Sequence, residues 1–395
     1  MVLIRFAAQA QVVYTPSFPP YGMSDVAAAM KPIDDKWLKE ARKRFASPFM
    51  GTNYGHIPVD TMMLSHAAVA NGHTIREFYE NPEMGAHWVA ASMETYDLLP
   101  ITHWYYSLPW LTEIGMEAQY MDWMPPVPKA PLIFDPSQVE ELRVPSREEL
   151  LKGATLDQLF RSNDYVKKHL PEMFSPIAIA TDLTGSGAQL VGVENFIMWT
   201  LLEPELAHAL VRVYMETAAA GAGLIAERYG DAAITTGSVL GNNDIFSDEM
   251  VREFSGKYLN EFVMKCFDNG AGPQVFYHFC GNHETDYKVL KEEVVWSPMT
   301  IVHVGYQGRE VFPSDLLVQE FGGYATCMGS VDTKLMLHGT PEQVYEQAKE
   351  QLIKGRDCSS GYILGTACEV PPFTPPENIR ALNRAAKDFG TYGKW

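Results

Sequence analysis

SDEMVREFSGKYLNEFVMKCFDNGAGPQVFYHFCGN, residues 247–282, holds a helix and a strand in that order, and the strand ends in chemistry. Ser247, followed by Asp248 and Glu249, is a capped helix start, and the spacing predicts a helix running to about Phe267. The aromatic and β-branched run from Gln274 to Phe279 predicts a strand. His278 and Cys280 stand two apart, so they share one face of that strand, and Gly281 and Asn282 end it.

The same alternation extends outward in both directions. Further strands are expected at Pro176–Thr181, Ala232–Thr236, Thr300–Val304, Tyr324–Met328 and Tyr362–Leu364. Between them Glu203–Tyr229 is amphipathic at helical period and stops at Gly230, while Thr340 caps a helix that has Pro341 in its first turn. Repeated strand, loop and helix predict an α/β fold, a single (β/α)8 TIM barrel. The first 150 residues are less regular: helices are expected at Lys36–Phe45 and Thr74–Leu98, a strand at Ile101–Tyr106, and an extended proline-rich connection at Met124–Pro136. The organisation expected is an N-terminal extension over 1–50 and the barrel over 51–395.

Composition narrows the function classes. The chain has 395 residues, 46% hydrophobic and 20% charged, as in an ordinary folded enzyme. A net charge of -18 repels nucleic acid and anionic membrane, so neither is expected as a partner. No export signal is legible at the N-terminus, and cytoplasmic location is the expectation. Five cysteines, an odd number in a long chain, indicate reduced thiols.

A third sulfur, Cys368, closes the phrase ILGTACEVPP, with Cys327 as the fallback thiol. One imidazole and two thiolates at a strand-to-loop boundary suit a zinc ion with one position left for substrate, because a catalytic site keeps three protein ligands where a structural one takes four. An ordinary core placement of His278 and Cys280 is the competing reading.

Several phrases resemble the uroporphyrinogen decarboxylase superfamily: ATDLTGSGAQLVGVENFIMWTLLEPELAHALV (180–211), GNNDIFSDEMVREFSGKYLNEF (241–262), FYHFCGN, MGSVDT (328–333) and ILGTACEVPPFTPPENIRAL (363–382). Within it they look like the zinc-dependent corrinoid methyltransferase branch. That resemblance implies Zn2+ on His278, Cys280 and Cys368, and a corrinoid (cobalamin) supplied by a small carrier protein. True decarboxylases carry an early arginine-rich phrase, whereas FMGTNYGHIPVD (49–60) has no arginine, so tetrapyrrole decarboxylation is the weakest of three readings. The first reading is O-demethylation, moving a methyl from a methoxylated aromatic (a phenyl methyl ether) to cob(I)alamin. The alternative is methyl transfer from a methylcorrinoid to a thiol of the coenzyme M type.

The first reading takes its substrate wall from the aromatic insert THWYYSLPW (102–110), with Trp104 and Trp110 and with Tyr120 and Trp123 nearby, and counts Asn53 and Tyr54 as further substrate-binding candidates. The same rings equally suit packing at the barrel's bottom or an oligomer face. Asp182, Asn243, Asp244 and Arg309 lie in strand-to-helix loops as substrate-binding or orienting candidates, and Tyr277, His303 and Tyr306 near strand ends are the candidate proton donors. A homodimer is the further partner considered.

Overall fold

The computed structural model describes residues 32–50, 54–101, 104 and 106–391, and the residues from Ile33 onward form one compact unit. Seven parallel strands curl around a core: β1 (Val59–Asp60), β2 (Ile177–Ala180), β3 (Ala233–Ser238), β4 (Val275–Asn282), β5 (Thr300–Gln307), β6 (Thr326–Val331) and β7 (Tyr362–Thr366). Their spatial order is β2-β3-β4-β5-β6-β7-β1, each chain neighbour from β2 to β7 lying beside the next. Helices follow the strands and cover the outside, as the right-handed βαβ crossover requires. This is the α/β barrel that the sequence predicts.

Between β1 and β2 the wall is continued by two contacts rather than by a described strand. The Leu99 amide donates to Val59 (3.0 Å), and Trp110 Nε1–H donates to the Ile179 carbonyl (2.6 Å). The strand expected at Ile101–Tyr106 includes residues 102, 103 and 105, which lie outside the described residues.

Most strands run two or three residues past their expected ends, into glycine and polar residues of the barrel rim. β4 does so through an irregularity after Phe279, where the register with β5 shifts and Gly281 takes a φ of +92°. The helix expected over Thr74–Leu98 is two helices, Ile75–Glu80 and Pro82–Tyr96: Pro82 has no N–H to donate back, so the first helix closes at Glu80 and a second starts. The helix Asp35–Phe49 lies inside the compact unit, tied down by Trp37 Nε1–H donating to Asp97 (2.9 Å) and by an Arg44–Asp97 ion pair. Pro204–Tyr229 is long and apolar enough to cross a membrane, yet 72% of its apolar window is buried against the barrel as a core helix.

Strand alternation sorts the interior into layers. Phe276, Ile301, Met328 and Ile363, one from each of β4 to β7, gather with Leu99 in an apolar plug. Two residues further along those same strands come His278, His303, Ser330 and Gly365. Chemistry therefore begins directly above the plug, at the C-terminal mouth where barrel enzymes keep their sites.

Candidate metal centre

His278 and Cys280 project inward from β4, and Cys368 reaches the same point from just beyond β7. Their ligand atoms all lie within 4.8 Å of one another. Nδ1 of His278 is taken up by His303, whereas Nε2 is buried with no hydrogen-bond partner among the described residues, and the two sulfurs are the donors grouped with the ring. A soft donor pair and one unengaged imidazole nitrogen are what a zinc-like cation takes, so the residues present fit such an ion.

The sulfurs are 3.6 Å apart. Two half-buried thiols at that separation compete for ionisation: the neighbouring Cys368 holds Cys280 below the ordinary thiol range, whereas the neighbouring Cys280 and burial push Cys368 well above it. A divalent cation removes that conflict by stabilising both thiolates.

The ligand loop is held from below. His283 is fully buried, with Nε2 3.1 Å from the Cys280 carbonyl and Nδ1 3.0 Å from Asp286, whose carboxyl is raised by burial. The Asn243 side-chain oxygen accepts from the backbone of Thr285 (2.8 Å) and Asp286 (3.1 Å), while the Asn243 backbone N–H donates to the Asn282 carbonyl (2.8 Å). Asn282 in turn donates to Asp244 (2.9 Å) and accepts from the Gly308 amide (2.6 Å). Asn243 and Asp244 are thus brought to the loop that carries Cys280, where they fix its backbone.

Asp182 lies at the neighbouring mouth of β2, fully buried, close enough to oppose ionisation of Cys280. Its Oδ2 accepts from the Leu240 amide (2.8 Å), and its Oδ1 has no partner among the described residues. Burial raises its pKa, opposed by the backbone N–H donors around it. Two further carboxyls at the mouth, both half-buried, carry no signal in the sequence. Asp60 ends β1 and is raised by burial, and Glu369, crowded by protein though partly open by area, is pushed up to about 7 by the same cause.

Other sequence candidates sit elsewhere. Tyr277 belongs to the outward face of β4, and its hydroxyl donates to the Val295 carbonyl (2.9 Å) beneath the Trp296 ring. Tyr306 reaches sideways at the rim, 3.1 Å from Asp332 and 2.9 Å from Thr333, with a hydroxyl pushed up to about 12 by burial. His303 is fully buried beside His278, with both ring nitrogens engaged. Arg309 is exposed in the turn after β5. Trp104 is 3% exposed, donating to the Phe78 carbonyl (3.1 Å) among the Phe78 and Tyr79 rings. Trp110 is wholly buried against Gly221, where a Cβ would come within 2.0 Å of the indole. Tyr54 contacts Glu40 and Lys43 on the first helix, and Asn53 lies outside the described residues. The expected aromatic wall is therefore packing rather than an open surface at Trp104 and Trp110.

The family model for uroporphyrinogen decarboxylase (URO-D) matches residues 40–389. The chain belongs to that family. Over 293 residues it is 28% identical to the methylated-thiol–coenzyme M methyltransferase of Methanosarcina mazei, spanning 70% of this chain and 71% of that protein. It is 24% identical over 222 residues to the methylcobamide:CoM methyltransferase MtaA of Methanosarcina barkeri, spanning 55% of this chain and 57% of that protein. A solved methyltransferase from Methanosarcina mazei shares the fold with a TM-score of 0.71 at 19% identity, over 88% of this chain and 98% of that one. Within the family, the likeness therefore runs to the corrinoid methyltransferase branch that the HFCGN and GTACEVPP phrases resemble.

Proposed function

We propose that this chain is a zinc-dependent methyltransferase that moves a methyl group between a corrinoid carrier and a small thiol. The observation that carries the reading is the meeting of His278 Nε2, Cys280 Sγ and Cys368 Sγ at one point, with the imidazole nitrogen otherwise unengaged. Bound there, Zn2+ would supply Lewis acidity that holds a substrate thiol as its thiolate near neutral pH.

The chain's own residues do the rest. His278, Cys280 and Cys368 present a three-donor face, and the Asn243–Asp286–His283 scaffold keeps the β4 end from relaxing when the face is loaded. Asp182, with an Oδ1 unpartnered among the described residues, is placed to hydrogen-bond a polar group of the substrate. A carrier protein would approach at the rim above β4 and β7, because the methyl has to reach the donor face.

Two observations favour a thiol over a phenyl methyl ether as the methyl's partner. The relatives above act, by name, on methylated thiols and coenzyme M, and Trp104 and Trp110, expected to stack a methoxylated ring, are spent on core packing. The test supplies zinc-loaded protein with methylcobalamin and a panel of small thiols, and in a second arm with reduced cobalamin and methoxyarenes. Methyl thioether formation that disappears in Cys280→Ala and Cys368→Ala supports the reading. Phenol release in the second arm without thiol methylation would return the assignment to O-demethylation.

A further inference from the structure

Nδ1 of His278 lies 2.7 Å from Nδ1 of His303, and Nε2 of His303 lies 3.1 Å from Oγ of Ser330. Oγ of Ser330 also lies 2.9 Å from the Val304 carbonyl. The three side chains form one row across β4, β5 and β6, in the layer directly above the apolar plug.

The directions of these bonds follow from the last of them. The Val304 carbonyl can only accept and is the nearer of the two partners, so the single Ser330 hydroxyl proton goes to Val304 and the oxygen turns a lone pair toward His303. His303 then carries its proton on Nε2 and leaves Nδ1 as an acceptor. His278 must donate to it, which puts the His278 proton on Nδ1 and leaves Nε2 as a lone pair. The reverse order would turn the Ser330 proton away from the Val304 carbonyl and place an N–H on the buried Nε2, which has no oxygen or nitrogen acceptor among the described residues and only the two cysteine sulfurs beside it.

We propose that His303 and Ser330 are positioning residues whose hydrogen-bond chain fixes His278 as the Nδ1–H tautomer, so that Nε2 is the nitrogen offered to the metal. The inference rests on the metal centre proposed above, but not on which thiol or methyl donor is used. It gives His303 a role other than proton donation to substrate: both its ring nitrogens are committed, and no proton on it faces the open mouth. Second-neighbour partners of this kind fix ring orientation and tautomer at metal sites generally.

The experiment reads the tautomer directly. In metal-free protein labelled with 15N-histidine, ring-nitrogen NMR of His278, assigned by its loss in His278→Gln, should show a protonated Nδ1 and an unprotonated Nε2. In His303→Leu that signature is expected to collapse into a tautomer mixture, and zinc affinity, measured by competition with a chromophoric chelator, to fall ~10- to 100-fold. His303→Asn keeps an acceptor at the Nδ1 position and should recover most of the affinity, which a purely space-filling role would not predict. Ser330→Ala provides the milder perturbation should His303→Leu fail to fold, with the His278 mixture appearing in the same spectra. A protonated Nε2 on His278 in the metal-free wild type would overturn the proposal, as would unchanged tautomer and affinity in Ser330→Ala together with no rescue by His303→Asn. If the tautomer result holds while thiol methylation fails, the fault lies with the proposed function and not with the hydrogen-bond chain.

Discussion

His66 offers a measurable link between burial and pH stability, away from the metal ligands. It is 2% exposed, with Nδ1 2.9 Å from the Pro372 carbonyl and Nε2 3.2 Å from the Tyr96 hydroxyl. Its Nδ1–H donates to the carbonyl and its Nε2 accepts from the phenol, so the neutral ring is fully satisfied. Burial pushes its pKa down from 6.5 to about 4. The unfolded chain therefore takes up a proton on this residue at a pH where the folded chain does not. Stability from the group is fully present above about pH 6.5 and is lost as pH falls toward 4. A gap of about 2.5 pKa units at 1.36 kcal/mol each amounts to about 3 kcal/mol. His66→Gln removes the titration while keeping an amide that can donate and accept. Urea unfolding of both proteins at several pH values between about 7.5 and 4 should show the wild type losing about 3 kcal/mol more than the variant. The other depressed histidines, His56, His87 and His303, are common to both and cancel in the difference. Stability curves that stay parallel across the whole range would refute the assignment of a buried neutral imidazole.

Gly237→Ala is expected to cost about 3 kcal/mol or more and to weaken metal binding as well, because a Cβ there would stand 1.8 Å from the His278 carbonyl oxygen and force β4 away from β3; an unchanged unfolding midpoint would contradict this. Zinc affinity should rise with pH between about 6 and 9, since the Cys368 thiol, held well above its ordinary range by Cys280 and burial, has to lose its proton before it can bind. Affinity that is flat over that interval, measured at constant ionic strength, would remove Cys368 from the ligand set.

The barrel was legible from Ile177 onward because its strands are buried on both faces and appear as apolar runs between capped helices. Their true ends were not. Gly237, Ser238, Gly305, Gln307, Ser330 and Asn282 look like loop residues, yet they extend the strands into the rim. β1, only Val59–Asp60, is too short for any period to show. The parity that separates Tyr277 from His278 was available in the sequence, since neighbours on a strand face opposite ways. The burial of Trp104 and Trp110 was not, because a ring that lines a pocket and a ring that fills a core have the same periodicity.

Ser330 and His283 show why the supporting residues escaped notice while the ligands did not. Cysteine and histidine two apart announce a possible ion by chemical type alone, whereas a serine acquires meaning only when register sets it beside a particular imidazole. β5 and β6 carry no proposed ligand, yet they lie between the strand bearing His278 and Cys280 and the strand preceding Cys368. The separation between those donors is therefore set by two intervening strands. The row His278–His303–Ser330 ties three of the four strands together at the level of the site. A slip of β5 against β4 would move His303 off Nδ1 and change which nitrogen is free, even with all three donors intact. The nitrogen offered by His278 and the spacing of the three donors therefore depend on strand register as well as on the side chains themselves.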